Sequence, residues 1–315
     1  MRQKDSDCGS GDKDKAKRNV GTYRKSENNK KRNNMRNINL LLVLATVTLT
    51  AVSCGSKKEA PKEEAPKMLV LYYSQTGNTK AVAEEIATKL GADIEEITMV
   101  NPYDTGFKAT IDRCLQEREQ GIIPDIQPVK ANVADYDIIF LGFPVWFGTY
   151  APPVQKFLLG ADLSGKKIVP FCTFGSGGLE SSVKDLVQAE PNAEVMPGYG
   201  VRAARMDAMP KEVDQFLKAN GYLEGEFVKL EEFPEQHEVS AEEAAVFDAA
   251  VNGYPMLHAK AKTVATRALP DGMEYLFTAE DLPRENNPKM PPAGELKVYV
   301  TVENGHAPVF TKVIR

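Results

Sequence analysis

Between residues 68 and 222 the chain alternates short apolar runs with amphipathic stretches. That alternation restricts the fold more than any other feature of the sequence. Residues 68–73 (MLVLYY) form a continuous apolar run of strand length, as expected of a strand buried on both faces. Val82, Ile86 and Leu90 then recur at i, i+4 and i+8 with Ala83 and Ala87 beside them, an amphipathic helix ended by Gly91. Further strands are predicted at 94–100, 135–143, 167–173 and 193–201. Further helices are predicted at about 105–120, from 152, at 179–188 and at 209–220. Strict β–α alternation with apolar strands specifies an α/β fold with a parallel sheet covered on both faces, and five strands over residues 68–222 suit a doubly wound sheet of order 2-1-3-4-5. Ligands of such sheets sit at the C-terminal strand ends, which directs attention to the loops after strands one, three and four.

The first loop holds Ser74, Gln75, Thr76, Gly77, Asn78 and Thr79 directly before a helix. Helix N-termini present free N–H groups and a favourable dipole to an anion, and three hydroxyls supply further donors. The loop holds no Lys or Arg, so it suits a phosphate monoester held by neutral dipoles better than a transferable γ-phosphate. An ordinary Ser/Thr-rich helix cap has the same composition, and this loop alone leaves both readings open. The second loop carries Pro144, Val145, Trp146, Phe147 and Gly148, including the only tryptophan of the chain. The third carries Thr173, Phe174, Gly175 and Gly178.

Taken in order, these three loops resemble those of flavodoxins, and the resemblance covers residues 68–222. It implies that the cofactor is FMN, that Ser74 to Thr79 hold its phosphate, and that the named residues of the second and third loops contact its ring. Trp146 suits this role because flat aromatic walls favour a planar ring. Stacking, with no cation nearby, implies a lowered flavin potential. No catalytic acid, base or nucleophile is evident. Gly160-Ala-Asp-Leu-Ser-Gly-Lys-Lys167 ends in Lys where a phosphate-binding P-loop has Ser or Thr, and it precedes its strand.

Metal binding is not expected. Cys8, Cys54, Cys114 and Cys172 form no CxxC pair, and His237, His258 and His306 lie far apart. Cys114 and Cys172 are expected to be buried thiols.

Charge divides the chain. Residues 1–53 contain 12 Lys/Arg and 5 Asp/Glu, whereas residues 54–315 contain 27 and 39, a net charge of −12. A body this acidic is a poor match for nucleic acid. Residues 1–34 are polar and basic; an apolar run of about 13 residues follows at 40–52, short of a bilayer span and suited to a signal-peptide core. It ends in Ala51-Val-Ser-Cys54, which resembles the processing site of bacterial lipoproteins. That implies lipidation at Cys54, removal of residues 1–53, and an extracytoplasmic, lipid-anchored location in the bacterial cell envelope. Residues 54–67 (CGSKKEAPKEEAPK) read as a tether.

Residues 223–238 are acidic and irregular, a linker. Within 239–315, Ser240-Ala-Glu-Glu243 is a capping box for a helix to about Val251, and four alternating segments follow. They predict a small α+β domain, a helix plus a four-stranded antiparallel sheet, loosely resembling the cystatin-like fold but lacking its inhibitory loop. The whole reads as an FMN-binding, membrane-tethered electron carrier serving a redox partner protein or a small-molecule acceptor. The alternatives are an FMN-dependent NAD(P)H:quinone-type reductase and an envelope binding protein that has lost its flavin.

Overall fold

A computed structural model describes residues 65–252, 254, 257–283, 292 and 294–315. The expected signal segment, most of the tether and Cys54 lie outside the described residues. Seven strands belong to the first sheet: β1 (Met68–Tyr72), β2 (Asp93–Glu96), β3 (Ile138–Trp146), β4 (Thr149–Tyr150), β5 (Lys167–Phe174), β6 (Glu194–Val195) and β7 (Tyr199–Arg202). Five helices accompany them: α1 (Asn78–Leu90), α2 (Phe107–Gln120), α3 (Pro152–Gly160), α4 (Leu179–Ala189) and α5 (Met209–Ala219). The sheet order is β2-β1-β3-β5-β6, with β7 also on β5 and β4 folded back on β3. All pairings are parallel except β3–β4.

The two-residue period of a strand divides the core. Leu69, Leu71, Ile139, Leu141 and Phe143 face α2, α3 and α4, where Cys114, Val154, Phe157 and Leu186 pack on them. Val70, Tyr72, Phe140, Val169 and Phe171 face the opposite side, covered by Val82 and Ile86 of α1 and Val213 and Leu217 of α5. This is the doubly wound arrangement expected from the alternation. Each β1 residue from Leu69 to Leu71 is fully buried, which is why the strand has no polar face.

Two strands differ from expectation in ways their residues explain. The fifth is split into β6 and β7 around Met196-Pro197-Gly198. Pro197 has no N–H for the ladder, and a side chain at Gly198 would lie 2.7 Å from the Pro170 carbonyl oxygen. The third continues past Phe143 to Trp146 and turns back into β4, so the second loop is a hairpin.

The second sheet is antiparallel, order β12-β11-β10-β9-β8, from β8 (His237–Glu238), β9 (Ala259–Leu269), β10 (Gly272–Asp281), β11 (Glu295–Glu303) and β12 (Val309–Ile314). Helix α6 (Ala241–Val251) is capped as its sequence predicts. Ser240 Oγ accepts from the Glu243 amide, and the Glu243 side chain accepts from the Ser240 amide. Phe247 of α6 packs edge-on against Phe277 of β10 at 5.1 Å, within a core holding Val264, Val298, Val300 and Phe310. The sheet has five strands where four were expected. The extra one, β8, lies at the end of the predicted linker and is only two residues long, too short to show alternation. Beside it, Gln236 Oε1 accepts from the hydroxyls of Thr263 and Thr278, at 2.6 and 2.8 Å.

Candidate functional site

Three loops after parallel strands meet at the C-terminal edge of the first sheet. The first leads from β1 into α1. Helix α1 starts with no side-chain cap on Gly77 and no acidic residue in its first turn, and Gly77 itself has φ 90°. Ser74 Oγ instead accepts from the amides of Gly77 and Lys80, each at 3.2 Å, which leaves its O–H to donate. Gln75 is held from both sides. Its Oε1 accepts from Tyr73 Oη at 2.6 Å, and its Nε2 donates to the Asp104 carbonyl at 2.9 Å. A carboxylate-free helix start beside hydroxyl and amide side chains is a donor set for an anion.

The second loop is a two-residue hairpin turn with Phe147 at φ 53° and Gly148 at φ 87°. Successive positive φ values match the twist of paired strands, as in a type I′ turn, but a phenylalanine is strained there. Phe147 stays half-exposed, with the Arg118 guanidinium 4.8 Å from its ring. Trp146, one residue earlier, meets Tyr103 and Tyr73 edge-on at 5.1 and 6.1 Å. Burial raises the pKa of both phenols above the ordinary tyrosine value, so they remain neutral partners.

The third loop follows β5. Gly178, at φ 117°, lies so near the second loop that a Cβ there would come within 2.5 Å of Val145 Cγ1. Thr173 reaches the first loop through a buried hydroxyl–hydroxyl contact with Thr79 at 2.8 Å.

A cavity of about 420 Å³ lies among the three loops. Of the residues expected to hold a ligand, Gln75, Thr76, Asn78, Pro144, Val145, Trp146, Phe147, Thr173, Phe174 and Gly175 line it. Ser74, Gly77, Thr79, Gly148 and Gly178 are not among the lining residues; the contacts above show them shaping the loops from behind. One further wall was not expected. Thr105 and α2 residues Phe107, Thr110, Ile111 and Cys114 line the cavity, as does Ala203 after β7. The helical spacing 107, 110, 111, 114 is legible in the sequence, but it ordinarily marks packing on a core. Cys114 and Cys172 are both buried free thiols, with pKa values raised by desolvation.

The expected absence of a nearby cation requires correction. Arg202, at the end of β7, is 8% exposed and donates from Nε to the carbonyl of Gly175, a cavity residue, at 2.8 Å. Its Nη1 donates to the Phe310 carbonyl of β12 at 2.6 Å. It lies far from the loops in sequence, so motif reading does not reach it.

An open parallel sheet of this order with a cavity at its strand ends defines the doubly wound ligand-binding class. Residues 67–215 match the family model described as flavodoxin, and this α/β domain is flavodoxin-like. The chain is also similar to a curated protein, NAD(P)H dehydrogenase (quinone) 3 of Rhizobium meliloti (strain 1021). The two are 32% identical over 139 residues, covering 37% of this chain and 58% of the relative's length. Among solved structures, it is similar to a putative flavoprotein from Bacteroides eggerthii (27% identity, TM-score 0.45, 50% of this chain and 99% of that one). It is also similar to a flavoprotein in complex with FMN from Lactobacillus acidophilus (24%, TM-score 0.41, 47% and 99%).

Proposed function

We propose that the protein binds FMN between its three loops and passes electrons as a membrane-tethered carrier. The observation that carries this reading is the convergence of a carboxylate-free helix start and an aromatic-walled cavity at one sheet edge. The first suits a phosphate and the second a flat ring. In this assignment Thr76, Asn78 and the start of α1 hold the phosphate, Ser74 braces the loop behind them, and Trp146 flanks the ring. Thr173 to Gly175 supply backbone groups at its polar edge. Bound FMN supplies the redox chemistry; the protein supplies placement, water exclusion and local charge. The match to the flavodoxin family model supports the cofactor.

The net charge of −12 over residues 54–315 fits a basic redox partner reached by electrostatic steering. The cysteine at the end of the apolar N-terminal run supports an acyl anchor at Cys54, with residues 54–67 as spacer. Similarity to a quinone dehydrogenase favours a second reading, an FMN-dependent NAD(P)H:quinone-type reductase.

Titrating FMN into residues 68–315 and following flavin fluorescence tests the cofactor; without saturable quenching both readings fail. Bleaching of bound FMN by NAD(P)H with no added reductase selects the reductase; no bleaching selects the carrier. Mass spectrometry of the membrane fraction tests the anchor, and an unmodified Cys54 excludes it.

A further inference from the structure

The second sheet touches the third loop directly. Strand β12 is an edge strand, and the Val313 amide donates to the Ser176 carbonyl at 2.7 Å. A Cβ on Gly177 would lie 2.2 Å from the Val313 carbonyl oxygen, so only glycine admits this approach. Lys312 Nζ reaches Glu180, at the start of α4, at 2.8 Å. Arg202 lies within this contact, donating to Gly175 on one side and Phe310 on the other, with its guanidinium 4.1 Å from the Phe310 ring and 5.1 Å from that of Tyr254. No carboxylate pairs with it among the described residues. Both its acceptor Gly175 and its neighbour Ala203 line the cavity.

We infer that Arg202 is a positioning residue of the ring end of the site: it fastens the third loop to the C-terminal sheet and sets a buried positive charge behind the Gly175 carbonyl. The inference rests on the FMN reading. A guanidinium keeps its proton when buried, and two carbonyl acceptors satisfy donors without cancelling its charge. In a low-dielectric wall that charge acts over a longer range than at the surface. Reduction adds negative charge to the flavin, so the cation favours the reduced form and raises the potential. The C-terminal sheet thereby becomes part of the redox site, because Phe310 holds the cation in place.

The test compares R202M and R202K with the unaltered protein by three measurements: FMN affinity, midpoint potential of bound FMN, and hydrogen exchange at residues 175–178 of the apoprotein. R202M is expected to bind FMN about tenfold or more weakly, as for loss of a charged hydrogen bond. It should also lower the potential and speed exchange. R202K retains the charge, so its potential should stay near that of the unaltered protein while affinity falls. A folded R202M with unchanged potential overturns the electrostatic role; unchanged affinity and exchange overturn the fastening. If R202M does not fold, R202K decides: unchanged affinity and exchange overturn the proposal, and so does a potential well below that of the unaltered protein. Failure of the unaltered protein to bind FMN defeats the cofactor reading instead, and exchange in the apoprotein still reads the fastening.

Discussion

Thr79 and Thr173 lie 94 residues apart, yet their hydroxyl oxygens meet at 2.8 Å in a buried contact between the first and third loops. Thr79 is 1% exposed and Thr173 5%. The contact registers the first loop against the third.

Replacing either threonine with valine leaves the other hydroxyl buried without its partner. Each single variant is expected to lose about 1–3 kcal/mol of stability, and the double variant less than the sum. Urea unfolding of all four proteins measures the coupling. Strict additivity would deny the contact an energetic role.

Trp146 is the only tryptophan, so its emission reports the cavity without ambiguity. FMN is expected to quench it, and W146A to weaken FMN binding by about 1 kcal/mol beyond the area lost. Isothermal titration gives the affinity; an unchanged value would remove the tryptophan from the site.

Phe147 holds a backbone conformation that a glycine adopts at little cost. F147G is expected to relieve strain of about 1 kcal/mol. It should raise or preserve the melting temperature while weakening FMN binding, because the lost ring lines the cavity. A fall in melting temperature together with unchanged affinity would refute both halves.

Burial, with Glu96 and Glu84 nearby, pushes the Tyr72 phenol from 10.0 up to about 12. Burial also raises Tyr73, Tyr103 and Tyr199. A phenol whose folded pKa is raised contributes stability that is fully present below its unfolded pKa and is lost as pH climbs through the folded value. For Tyr72 that window is about 10 to about 12. Stability should therefore fall across this range, less steeply in Y72F, as read by denaturant midpoints at stepped pH. Identical alkaline limbs for Y72F and the unaltered protein would contradict the assignment.

Much of the site was legible locally. Gln75, Thr76, Asn78, Trp146 and Thr173 follow apolar strands, and strand-end loops in an alternating chain converge by topology. Ser74 and Thr79 were equally visible, but whether their hydroxyls face a ligand or the protein depends on partners elsewhere in the chain. The α2 wall was hidden because Phe107, Thr110, Ile111 and Cys114 have the spacing of any core-facing helix. Two-residue strands such as β8 leave no periodicity to read.

Apolar continuity and alternation in the sequence alone determined the parallel sheet, the capped α6 and the three loops. These follow from nearest-neighbour chemistry: hydrogen-bonding period, helix capping and turn geometry. Tertiary structure decided what lies behind the loops. Arg202, Gly175 and Phe310 come together only when β7 and β12 approach, and Gly177 permits the contact for want of a single Cβ atom. A buried charge takes its effect from its surroundings in space, and separation along the chain does not encode them.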